Sequence, residues 1–150
     1  MNKTMRLIMT LIIVFISQLS FMLPTKAIEI TDYKGKVLYL DFWASWCIPC
    51  RKSFPWMNDL REKYSEDELA IVAVNLDKDK SLAQDFLEKY PASFSIAYDP
   101  EGKLAKKYQI PGMPSTIIFD KNGKVVDAHS GFFAKKIPEY EAKLEAIIKK

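Results

Sequence analysis

Val37 to Trp43 is a run of apolar and aromatic residues broken only by Asp41, the pattern of a strand buried on both faces. After a short turn at Ala44-Ser45 the spacing predicts a helix from about Cys47 to Lys63, with Pro55 inside it. Leu69 to Asn75 reads as a second buried strand. Ser81 is placed to cap a helix running to Tyr90, with Leu82, Phe86 and Leu87 on its apolar face. Phe94 to Tyr98 is a short strand candidate. The turn residues Asp99-Pro100-Glu101-Gly102 precede a short helix through Tyr108. Thr116 to Phe119 and Lys124 to Ala128 are strands on either side of Lys121-Asn122-Gly123, where Asn-Gly marks a hairpin. A last helix carries Ile137, Tyr140, Leu144 and Ile148 at core-facing spacing. Strand and helix alternate and a hairpin closes the order, which predicts an α/β fold, a mixed central sheet with helices on both faces. There is no internal repeat, low-complexity tract or linker to mark a second domain.

The first 27 residues have a different pattern. Lys3 and Arg6 precede a mostly apolar run, Leu7 to Leu23, and Pro24-Thr25-Lys26-Ala27 ends in a small residue. This reads as a secretory signal, or as an uncleaved anchor through residues 7–23, since the run is only slightly shorter than the roughly 20 residues a spanning helix needs. Either reading delivers residues 28–150, a single domain, outside the cytoplasm. Removing 1–27 takes away three cations and no acid, leaving 19 of each sign. The basic pI of 8.7 therefore belongs to the leader, and a formally neutral domain argues against nucleic acid as a partner.

The chain has two cysteines, Cys47 and Cys50, in the stretch Phe42-Trp43-Ala44-Ser45-Trp46-Cys47-Ile48-Pro49-Cys50. A bridge between them encloses almost no loop and constrains the unfolded chain little, so a structural staple is the weak explanation. A structural zinc site needs four ligands, and His129 is the only histidine. That residue falls at the end of a predicted strand and reads as a solvated surface group. No metal site is assigned, and copper(I) binding by the isolated pair is the form of metal chemistry left open. Disulfide exchange fits better. At the predicted helix N-terminus, unpaired amides and the helix dipole favour an anion, which lowers the Cys47 thiol pKa and makes Cys47 the nucleophile. Cys50, one turn further along the same side, is placed to resolve the mixed disulfide.

The segment Phe42 to Arg51 resembles the active-site segment of the thioredoxin superfamily, and its Phe-Trp-Ala-Ser-Trp wording is similar to the exported TlpA-like thiol:disulfide interchange branch. The likeness runs through Lys34-Gly35-Lys36-Val37, Pro55 and Ile110-Pro111-Gly112-Met113-Pro114-Ser115-Thr116. It implies a thioredoxin fold, a redox-active Cys47–Cys50 disulfide with no other cofactor, and a cis Met113-Pro114 bond facing it. Extended client chains would pair with the Met113 backbone by strand addition, against an apolar rim of Trp46, Ile48, Pro49 and Met113. Asp41 matches the buried acid behind the disulfide of thioredoxins, a candidate to take the proton from Cys50. The lysine that partners that acid has no counterpart in Ala70-Ile71-Val72-Ala73-Val74. Ser53 stands where several cytochrome-maturation members carry a glutamate, and the N-terminal hairpin common in the branch has little room in Ile28 to Tyr33. The expected protein is a monomer acting on disulfides of exported client proteins, in the bacterial periplasm, and supplied by a membrane thiol electron donor. Ile48-Pro49 offers no group that stabilises a reduced form, which favours a reductant over an oxidase or isomerase. A non-redox peptide-binding module is the alternative of a different class.

Overall fold

The computed structural model describes residues 28–150; the leader or anchor predicted over 1–27 lies outside them. Five strands, β1 (Val37–Trp43), β2 (Leu69–Asn75), β3 (Ser95–Tyr98), β4 (Ser115–Phe119) and β5 (Val125–Ser130), form one sheet in the order β3-β2-β1-β4-β5. The first three run parallel. β4 is antiparallel to β1, and β5 pairs antiparallel with β4 across the Asn-Gly turn. Every residue of β1 and β2 is buried, as the unalternating apolar runs predict for strands covered on both sides.

Among the described residues four α-helices cover the sheet: α1 (Cys50–Lys63), α2 (Lys80–Lys89), α3 (Lys103–Lys107) and α4 (Ile137–Ile148). Because successive strand side chains point to opposite faces, β1 supplies two cores. Val37, Tyr39 and Trp43 face α1, α2 and α4, whereas Leu38, Leu40 and Phe42 face α3 and a 3-10 turn over Ile30–Tyr33. Beneath the cysteines the first core is aromatic. Phe54 lies 4.9 Å from Trp43, 5.0 Å from Phe86 and 5.3 Å from Phe94 between ring centroids, edge-on contacts worth about 0.5–1.5 kcal/mol each beyond area burial. This cluster fixes α1 on β1 and α2. The Trp56 indole also donates to Glu141 Oε1 at 3.2 Å, joining α1 to α4.

Three local expectations are corrected. Helix α1 begins at Cys50 and not Cys47, because the Cys47 amide turns back to the Ala44 carbonyl at 3.1 Å and the first helical carbonyls are those of Ile48 and Pro49. The cap of α2 is Asp79, whose side chain accepts from the Ser81 amide at 2.9 Å; Ser81 is inside the helix. Leu82 is 46% exposed, and the buried face is Ala83 and Phe86, with Leu87 and Tyr90 half-buried beside them. The hairpin turn forms around Asp120, whose carboxylate accepts from the amides of Asn122 and Lys124, with Gly123 at φ 80°, where a side chain would be strained. Among the described residues no strand precedes β1, and no helix is long and apolar enough to cross a membrane.

Candidate active site

Both cysteines sit where β1 ends and α1 begins, at the carboxyl edge of the parallel strands. Cys47 and Cys50 form a disulfide, S–S 1.97 Å with the Cα atoms 5.3 Å apart. The Cys50 amide donates to Cys47 Sγ at 3.3 Å. Negative charge on that sulfur is therefore met by a fixed donor and by the positive end of a helix of 14 residues. Among the described residues Cys50 Sγ receives no such donor, and Cys50 is fully buried while Cys47 is 2% exposed. Around them Trp46 is 65% and Ile48 66% exposed, and Pro49 is exposed as well. These three form an apolar rim that folding leaves in water.

The Met113-Pro114 peptide bond is cis. Pro114 is buried, and Met113 is half-buried against the core cluster that contains both cysteines. The loop is held by groups the sequence reading passed over. Ser115 Oγ donates to the Gly112 carbonyl at 2.7 Å and, since its proton is used there, accepts from Ser130 Oγ at 2.9 Å. The Gly131 amide donates to the Pro114 carbonyl at 2.7 Å. A cleft of about 420 Å³ borders this loop on the side of Tyr108, Ile110, Pro111, His129 and Ser130. Neither cysteine lines it; they lie beneath the exposed rim of Trp46, Ile48 and Pro49.

Asp41 is in the body of β1, 2% exposed and on the face that carries the cysteines. Its Oδ1 accepts from Thr116 Oγ1 at 2.8 Å. Thr116 Oγ1 in turn lies 3.2 Å from the Tyr39 hydroxyl, which must donate because the threonine proton is engaged. Oδ2 is buried without a hydrogen-bond partner among the described residues. Burial pushes the carboxyl up from 3.8 to about 7, the Thr116 hydrogen bond opposing part of the rise. Among the described residues no hydrogen bond joins Asp41 to either cysteine, so proton transfer between them requires closer approach or a water. The same desolvation pushes the Tyr39 phenol well above 10, which leaves it a donor at every physiological pH.

His129 departs from the sequence reading. It is half-buried, directly opposite Thr116 in the β4–β5 register, and stacked on Tyr140 at 4.8 Å with ring planes 10° apart. Burial lowers its pKa against the opposing pull of Asp127. Ser53, also buried, donates to the Cys50 carbonyl at 3.1 Å within the first turn of α1. Among the described residues no three His, Cys, Asp or Glu side chains gather as a metal site.

The family model described as Redoxin matches residues 18–144. The thiol-disulfide oxidoreductase ResA of Bacillus thuringiensis subsp. konkukian (strain 97-27) is 37% identical over 123 residues, covering 81% of this chain and 71% of that protein. A crystal structure from Chlorobium tepidum, assigned as a thiol:disulfide interchange protein DsbE, superposes with a TM-score of 0.78 at 43% identity, over 83% of this chain and 89% of that one. A thiol-disulfide isomerase from Corynebacterium glutamicum shares the fold at 18% identity, with a TM-score of 0.73 over 85% of this chain and 90% of that one. The extent of the family match and the identity to these relatives agree with the cysteine geometry: the chain belongs to the redoxin family, as a TlpA-like thiol:disulfide oxidoreductase of the thioredoxin superfamily.

Proposed function

We propose that this protein works outside the cytoplasm as a reductant of disulfides in exported proteins. The observation that carries the site assignment is the Cys50 amide aimed at Cys47 Sγ at the mouth of α1, under an exposed rim of Trp46, Ile48 and Pro49. In the reduced protein the Cys47 thiolate attacks one sulfur of a client disulfide, and the other client sulfur leaves as a thiolate. Cys50 then gives up its proton, with Asp41 Oδ2 as acceptor, and attacks Cys47 Sγ; the Cys47–client bond breaks, the second client sulfur leaves as a thiolate, and both client thiolates take up protons from solvent. The client is released as a dithiol two electrons richer, and Cys47–Cys50 is left as the disulfide. A protein acting in this direction must be reduced again by a dithiol donor. The apolar segment 7–23 supports a donor in the membrane that the leader reaches.

The direction follows from what stabilises the reduced form. A strong exported oxidant stabilises its reduced form, whereas here, among the described residues, one backbone amide reaches Cys47 Sγ and the residues between the cysteines, Ile48 and Pro49, carry no polar side chain. Equilibration of Cys47 and Cys50 against glutathione or dithiothreitol buffers should give a reduction potential more negative than about −220 mV, on the thioredoxin side of the scale. A value near about −120 mV, that of a strong oxidant, would reverse the direction of the reaction.

A further inference from the structure

Asp77 lies two residues past the end of β2, 5% exposed, outside every motif the sequence reading singled out. Both of its carboxylate oxygens are acceptors. Oδ2 receives the Ser45 amide at 2.8 Å and the Asn75 side-chain amide at 2.8 Å, and Oδ1 receives the Ser45 hydroxyl at 3.0 Å. Asn75, fully buried, returns the contact by accepting the Asp77 amide on its Oδ1 at 3.1 Å. The Leu76 amide between them donates to the Trp43 carbonyl at 2.9 Å. Two consecutive residues just past the end of β2, Leu76 and Asp77, thus bind the segment Trp43 to Ser45, which leads directly into Trp46 and Cys47, and Asn75 braces Asp77. The strand register explains why they meet: Trp43 and Asn75 are partners at the carboxyl ends of adjacent parallel strands, so the two outgoing connections lie side by side.

We infer that Asp77 is a positioning residue of the exchange site, holding the Ala44-Ser45 turn so that Cys47 stays within bonding distance of Cys50 while Trp46 faces solvent. The inference rests on the redox reading of Cys47 and Cys50. Disulfide formation between two thiols depends on their effective concentration at one another, and that concentration is set by how tightly the backbone carrying them is held. Cys50 is fixed by α1 and its aromatic support. Cys47 stands outside the helix, so the turn before it determines its freedom, and Ser45 is the turn residue with two bonds to a buried acceptor.

The test is the Cys47–Cys50 redox equilibrium of the purified protein against glutathione, measured for Asp77→Ala and Ser45→Ala beside wild type. Asp77→Ala is expected to make the disulfide about tenfold easier to reduce, which is about 30 mV for a two-electron couple. Ser45→Ala, which loses the hydroxyl contact and keeps the amide contact, should shift it in the same direction by less. A role confined to stability would lower the denaturant midpoints of the oxidised and reduced forms equally, and the redox equilibrium would not move. Equilibrium constants within twofold of wild type for both variants overturn the inference; should Asp77→Ala fail to fold, the Ser45→Ala result decides it alone. Insulin reduction by wild type is assayed in parallel. Failure there, with the redox shifts present, would count against the proposed reaction and leave the positioning role standing.

Discussion

A Cys50→Ser variant is expected to accumulate a stable mixed disulfide through Cys47, whereas Cys47→Ser forms no adduct and loses disulfide reduction down to the uncatalysed background. The asymmetry follows from position. Of the two sulfurs, Cys47 Sγ is the one that receives an amide donor among the described residues, and it lies next to Trp46 and Ile48, which are exposed to an incoming chain. Cys50 is fully buried at the first position of α1 and reaches only a sulfur already bound to Cys47. Without it the captured client has no intramolecular resolving thiol, and an external thiol at millimolar concentration replaces an effective concentration that is several orders of magnitude higher. Non-reducing electrophoresis and mass spectrometry of the trapped species check this. Adducts formed through Cys50, or equal trapping by both variants, would show that the roles of nucleophile and resolving thiol are wrongly assigned.

Asp41→Asn is expected to remove a large pH dependence from the stability of the oxidised protein and, separately, to slow the reaction. The folded-state carboxyl titrates at about 7 against an ordinary value of 3.8. Between those values the folded protein holds a proton that the unfolded chain has released. The contribution is therefore fully present below pH 3.8 and is lost as pH rises through 7, amounting to about 4 kcal/mol. Denaturant midpoints of wild type and variant, taken from pH 4 to pH 9, isolate this group by difference, because the other titrating groups are common to both. The difference should shift steadily in favour of the variant from about pH 4 upward and level off above about pH 7. Catalytically, loss of a positioned proton acceptor for Cys50 should slow release of client by about 100-fold near neutral pH. Thr116→Val is the companion variant. It removes the Asp41 hydrogen bond that opposes the rise, so the inflection should move above 7. A flat difference curve would mean that Asp41 is ionised throughout and takes no proton from Cys50.

The sheet was legible because its central strands are simple: Val37 to Trp43 and Leu69 to Asn75 are buried on both faces and contain almost nothing but apolar residues. The cysteine pair and its place at a strand-to-helix junction were legible for the same reason, since spacing and element order are local properties of the chain. What escaped was set by contacts between distant residues or by competition among neighbours. Ser81 and Asp79 are both good caps, and only the backbone path decides between them. Leu82 fits an apolar helical face by periodicity, yet α2 turns Ala83 and Phe86 inward. His129 could not be seen to stack on Tyr140 without the β4–β5 register and the placement of α4. Asp77 binds a serine 32 positions earlier, and a single acid after an apolar strand carries no periodic signal. Asp41 was identifiable as an interruption of its strand; its unpartnered Oδ2 was not, since that depends on which of its neighbours are polar.

Everything in the proposed reaction begins with a Cys47 thiolate held by the Cys50-position amide at the mouth of α1. Its ionisation can be followed as the rate of iodoacetamide alkylation against pH in the Cys50→Ser background, where Cys47 is the only thiol. The expected titration lies well below the ordinary thiol value of about 8.5, toward neutrality. A midpoint at about 8.5 or above would contradict the assignment of Cys47 as the activated nucleophile.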